Sequence, residues 1–159
     1  MSDGIIKSES AFAQPLHFEG VQFNTANNAI TPTDIDAVLE FRDKLFILIE
    51  VKKRGAEMGA GQRFAYERIC KAIDGNQGKT CVAFFCWHDV EKPKPVMLRD
   101  LYIKSFFWPG PSGYQWRESD RERPVIKSIN ALLDLTGIGP EEVSRCEFSE
   151  VLDMANCPF

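Results

Sequence analysis

The run Leu45-Phe46-Ile47-Leu48-Ile49, closed by Glu50-Val51-Lys52, constrains this chain more than any other segment. It is β-branched and aromatic enough to be an interior strand. Side chains alternate along a strand, so Glu50 and Lys52 share one face, about 6–7 Å apart, while Val51 packs on the other. Upstream, Asp36-Ala37-Val38-Leu39-Glu40-Phe41 reads as a partner strand across a polar Arg42-Asp43-Lys44 turn. The hairpin delivers Asp36 near Glu50. Two carboxylates and one ammonium then meet where the apolar pattern stops, a set suited to a divalent metal and a phosphate. An isolated Glu-x-Lys at a strand end is ordinarily a solvated pair; the apolar run before it and the hairpin Asp give it weight here.

The stretch downstream of Lys52 adds to that weight. A connector with Gly55, Gly59 and Gly61 leads into Gln62-Arg63-Phe64-Ala65-Tyr66-Glu67-Arg68-Ile69-Cys70-Lys71-Ala72-Ile73. Phe64, Ile69, Ala72 and Ile73 approximate an apolar helical stripe, and Arg63, Glu67, Arg68 and Lys71 fill the remainder. Gln62 and Tyr66, four residues apart, share a helix face and could reach a phosphate or the lysine. After a Gly75-Asn76-Gln77-Gly78 turn, residues 79–87 predict a second core strand.

The order Asp36, Glu50-x-Lys52, helix, strand resembles the PD-(D/E)xK nuclease superfamily over roughly residues 34–71, and Gln62 with Tyr66 is similar to the Q-x-x-x-Y element of its RecB-like branches. The resemblance implies a restriction-endonuclease-like αβββαβ core in an α/β (α+β mixed-sheet) fold. It implies that Asp36, Glu50 and the Val51 carbonyl bind Mg²⁺, with Mn²⁺ able to substitute, and that Lys52 assists the attacking water. Gln62 joins the catalytic set. The usual Pro directly before the Asp is missing: the order is Pro32-Thr33-Asp34-Ile35-Asp36, so Asp34 competes. Asp36 is preferred because it opens the strand, whereas Asp34 follows Thr-Pro-Thr as a turn residue. Glu19, or less favourably Glu9, is a candidate for an additional N-terminal carboxylate, against the plainer reading of a surface glutamate.

The residue types suit phosphodiester hydrolysis, which must place water in line with phosphorus and neutralise charge on the oxygens. Mg²⁺ takes hard oxygen ligands and keeps several waters, so one or two carboxylates and a carbonyl suffice. Lysine is a compact cation whose pKa is accessible, and its part in holding or deprotonating water stays open.

The formal net charge of −4 argues against a nucleic-acid partner until its distribution is considered. Between Arg42 and Lys71 eight Lys/Arg face four acidic residues; beyond Ala131 six acidic residues face Arg145 alone. Lys53, Arg54, Arg63, Tyr66, Arg68 and Lys71 are the candidate DNA contacts. The chain of 159 residues reads as one nuclease domain, its core about 16–90 and its accessory hairpin and C-terminal helices about 95–159. Its N-terminal part suggests a short helix around Phe12–Phe18 and an early strand near Val21–Phe23.

The five cysteines lack disulfide-framework spacing and fit a reducing cytoplasm, bacterial or phage-infected. Cys81-x4-Cys86-x-His88 is poor zinc spacing, and Cys146 and Cys157 do not reproduce the iron–sulfur cluster of some related nucleases, so no zinc and no cluster are expected. No apolar stretch is long enough to span a bilayer, and the start has no signal-peptide pattern. Residues 101–117 predict an aromatic hairpin that packs on the sheet rather than stacking on bases, and residues 124–135 a helix between Pro124 and Gly137. The expectation is a metal-dependent deoxyribonuclease, structure-directed or nonspecific, in repair, recombination or phage DNA processing. A homodimeric Holliday-junction resolvase and a non-catalytic DNA-binding protein are the alternatives.

Overall fold

Strand β2, Leu45–Lys53, is apolar on both sides because both of its faces are covered. The computed structural model describes residues 35–108 and 115–138, which fall in one compact unit, Thr33–Phe159. Leu45, Ile47 and Ile49 enter one core and Leu48 the other. The neighbour β3, Thr80–His88, divides the same way: Val82, Phe84 and Cys86 to one face, Cys81, Ala83 and Phe85 to the other. Helix α1, Ala60–Ile73, covers the second face with Tyr66 and Cys70, and α2, Val125–Leu135, covers the first with Val125, Ile129, Leu132 and Leu135.

The result is a five-stranded mixed sheet in the order β1-β2-β3-β4-β5, with β1 Ala37–Phe41, β4 Tyr102–Phe107 and β5 Trp116–Pro124. Only β2 and β3 are parallel, joined through α1 as a crossover; every other neighbouring pair is antiparallel. The β1–β2 turn places Arg42 and Asp43 at φ 52° and 56°, and Lys44 N–H donates to the Phe41 carbonyl at 2.9 Å. Phe41 pairs with Leu45, so the loop has three residues, two of them in left-handed backbone.

The predicted β1, β2, α1, β3 and α2 are all present, and Pro124 stands just before α2. One correction concerns β5. Its predicted apolar segment ends at Arg117, but the strand continues to Pro124. Among the described residues no helix is long and apolar enough to cross a membrane. The N-terminal helix, the strand near Val21–Phe23, Glu9, Glu19, Asp34, Cys146, Cys157 and any helix beyond residue 138 lie outside the described residues.

Candidate active site

Glu50 is the most buried charged side chain of β2, with 1 % of its surface exposed. A carboxylate at that depth is costly unless its oxygens are hydrogen-bonded. Three donors meet it. Gln62 Nε2 donates to Oε1 at 2.8 Å, Tyr66 O–H donates to Oε2 at 2.8 Å, and the Lys52 ammonium lies 2.5 Å from Oε1. The Tyr66 hydroxyl carries one proton, so its 3.2 Å approach to the Ile49 carbonyl is a secondary contact.

Each donor is set by local structure. Lys52 lies two places beyond Glu50 on the same strand, hence on the same face. Gln62 belongs to the first turn of α1, and the Gly59 N–H donates to its Oε1 at 3.4 Å, which turns Nε2 toward Glu50. Tyr66 is one turn further on, fully buried, and draws its ring into the core shared with Leu48 and Phe85. The first turn of α1 also brings the positive end of the helix dipole toward the carboxylate. Burial pushes the Tyr66 hydroxyl far above its ordinary pKa, reinforced by the Glu50 bond and charge and by the Asp36 charge, so it remains a donor.

Asp36 arrives from the neighbouring strand. The β1–β2 register pairs Ala37 with Ile49, and one further step sets Asp36 beside Glu50. Its Oδ2 accepts the Val51 N–H at 2.7 Å. In a strand, N–H and C=O of one residue face the same neighbour, so the Val51 carbonyl points to the Asp36 side, where β1 has ended. Asp36, Glu50 and the Val51 main chain are therefore neighbours at the end of β2. Among the described residues no three His, Cys, Asp or Glu side chains come together. This hard-oxygen set fits Mg²⁺ or Mn²⁺ that retains several waters, not a closed all-protein cage.

The structure brings Asp36, Glu50, Val51, Lys52 and Gln62 together. Gln62 and Tyr66 both bond to the Glu50 carboxylate, which also holds the Lys52 ammonium. One expectation is corrected: Tyr66, wholly buried, has no surface to offer DNA.

The other DNA-contact candidates do not form one face. Lys53 pairs with Glu91 at 2.8 Å. Arg54 binds Asp89 through two nitrogens at 2.7 and 2.8 Å and Glu122 at 2.7 Å; those hydrogen bonds raise its pKa above the ordinary value. Arg63 and Lys71 lie on α1, over the rings of Trp116 and Phe107 respectively, and Arg68 is exposed on the same helix. Cys81 and Cys86 enter opposite cores, and Cys81 meets Cys70 instead, Sγ to Sγ 3.4 Å.

Trp87 is the residue that sequence reasoning missed. Read only as the end of a strand, it stands beside Lys52 in the parallel β2–β3 register and faces the α1 side of the sheet. Finding it required knowing that β2 and β3 run parallel with Lys52 opposite Trp87.

Comparison with family models, with curated proteins and with solved structures finds no match for the chain.

Proposed function

We propose that this protein is a metal-dependent deoxyribonuclease of the PD-(D/E)xK type, with a restriction-endonuclease-like core. The observation that carries the reading is the convergence of Asp36, Glu50 and Lys52 on one sheet face, with the main-chain groups of Val51 between the carboxylates. A role as mere core filler does not account for a buried carboxylate whose second carboxylate neighbour comes from another strand.

In this reading Asp36, Glu50 and the Val51 carbonyl hold Mg²⁺ or Mn²⁺. The cation would supply charge neutralisation at the phosphate and acidify a water. Lys52, one-third exposed and anchored to Glu50, presents its ammonium toward solvent, where it can orient the nucleophilic water or meet a phosphate oxygen. Gln62 and Tyr66 fix both Glu50 oxygens, so the carboxylate does not rotate away from the cation. Arg63 and Arg68 are left as backbone contacts along α1. Lys53, Arg54 and Lys71 would have to exchange carboxylate partners for phosphates. Affinity should accordingly be modest and fall with salt.

The test is cleavage by wild type and Lys52→Ala of single-stranded, duplex, flapped and four-way DNA with Mg²⁺, Mn²⁺ or EDTA. Metal-dependent cutting that falls at least about a hundredfold in the variant is the expected result. Preference for the four-way substrate by a dimer would move the reading to a resolvase. Salt-sensitive binding without cutting would leave a DNA-binding protein. Neither binding nor cutting would overturn the proposal.

A further inference from the structure

Beyond β3, which pairs with Lys52 on the side away from β1, the sheet is interrupted. Between the rungs Ile103↔Arg123 and Ser105↔Glu118 a single β4 residue, Lys104, faces four residues of β5, Ser119 to Glu122. The same lysine is the extra residue in the β3–β4 ladder, between Cys86↔Ile103 and Phe85↔Ser105. Bulges of this kind re-aim side chains and are common beside active sites. Here the bulged β5 segment forms one wall of a cavity of about 250 Å³, lined among others by Arg54, Trp87, Tyr102, Lys104, Ser119 and Glu122. Trp87 joins this cavity to the candidate active site, since it neighbours Lys52 across the parallel ladder, about 4.8 Å away.

The lining indicates what fits. The lining combines flat groups with charged ones: the Trp87 and Tyr102 rings, with the Arg54 guanidinium 5.8 Å and the Lys104 ammonium 5.1 Å from the Trp87 ring centroid. Nucleobases stack on aromatic rings and on arginine planes alike. Most of the charged lining groups are paired within the protein, Lys104 with Glu118, Arg54 with Asp89 and Glu122, and Asp120 with Arg123. A pocket so compensated favours a neutral polar heterocycle over a second phosphate. Its volume falls below the roughly 300–1,000 Å³ of pockets for drug-sized ligands, which suits a single ring system.

We propose that this cavity receives one unpaired nucleobase of the DNA strand whose phosphate lies at Lys52, so that single-stranded or flapped DNA is the preferred substrate. The inference rests on the nuclease reading. Bases in an intact duplex are stacked and paired, and would have to be flipped out to enter.

The test uses fluorescein-labelled oligo(dT) and a blunt duplex of equal length, with binding measured by anisotropy at low salt in EDTA. Ser119→Phe fills the cavity from the β5 wall and leaves Asp36, Glu50 and Lys52 untouched. It should weaken single-strand binding about tenfold, the scale of one lost base–aromatic stack, and change duplex binding less than twofold. Equal effects on both ligands, or none, overturn the cavity assignment. Should Ser119→Phe not fold, oligo(dT) quenching of tryptophan emission is compared in wild type and Trp87→Phe. Loss of most of the quenching in the variant supports the assignment, and unchanged quenching overturns it. Cutting by a wild type that fails these tests removes the cavity and keeps the nuclease; a wild type that neither binds nor cuts removes both.

Discussion

Tyr66→Phe removes one oxygen atom and keeps the ring, so it isolates the bond that holds Glu50 from beneath. The lost donor leaves Glu50 Oε2, now 2.8 Å from a hydroxyl, in a site that is 1 % exposed. Hydrogen bonds to charged groups contribute about 1.5–3 kcal/mol, and a buried acceptor left unsatisfied forfeits its solvation as well. Gln62 and Lys52 still serve Oε1, so the loss is partial. The expected destabilisation is about 2 kcal/mol. For a chain of this length that lowers the melting temperature by roughly 4–8 °C.

A double-mutant cycle assigns the effect. Tyr66→Phe, Glu50→Gln and the double variant are unfolded in urea with circular dichroism as the probe. The coupling energy should reach at least about 1 kcal/mol, because both residues share one contact. Mn²⁺ affinity, read by calorimetry, should drop about tenfold or more in Tyr66→Phe, as happens when the partner of a metal-binding side chain is removed. Stability within about 0.5 kcal/mol of wild type, or a coupling near zero, would refute the view that Tyr66 positions Glu50.

Asp36→Asn keeps an oxygen to accept the Val51 N–H; stability should stay within about 1 kcal/mol of wild type while Mn²⁺ binding in calorimetry is lost. Glu50→Met combined with Tyr66→Phe exchanges the buried polar cluster for apolar volume, a change that is often neutral or stabilising; the double variant should melt no lower than Tyr66→Phe alone and show no metal-dependent cutting. Asp89 has its pKa held below the ordinary value, chiefly by its hydrogen bonds to Arg54. Its contribution is therefore present above about pH 4 and is lost as the pH falls through the depressed pKa, so urea midpoints of wild type and Asp89→Asn should differ at pH 6 and draw together as the pH is lowered below about 4.

Segments whose structure follows from local pattern were legible. The β2 run, the α1 stripe and residues 79–87 each carry enough apolar residues to identify themselves, and Pro124 and Gly137 bracket α2. Strand β5 was not, because Trp-Arg-Glu-Ser-Asp-Arg-Glu-Arg-Pro has no apolar alternation. Among the described residues it is an edge strand that β4 pairs on one side, and all of its charged side chains but the buried Arg123 are exposed or half-buried. The site divides along the same line. Glu50 and Lys52 follow from alternation within one strand, and Asp36 from a hairpin short enough to count. The Lys53 and Arg54 ion pairs reach Glu91, Asp89 and Glu122 across tens of residues, and no local spacing encodes them.

The position of the cluster explains why one short segment carries so much of the chemistry. Among the described residues strands β2 and β3 are the one parallel pair, so their carboxyl ends finish together, at Lys53 and His88. Ligands in open α/β sheets gather outside such ends, because the connections leave a crevice there and helix N-termini point into it. Among the described residues β1 pairing stops at Ala37, with the Asp36 carboxylate taking the Val51 N–H on that side, while the β4–β5 bulges open the cavity on the other. Asp36, Glu50 and Lys52 lie between these two interruptions, on the face reached by the first turn of α1. A buried carboxylate placed mid-strand would have the cost of desolvation with no route to solvent. At the end of β2 the same carboxylate keeps its Gln62 and Tyr66 donors inside the protein and its third donor, Lys52, one-third exposed, the arrangement that the proposed nuclease would use to hold a cation against an incoming phosphate.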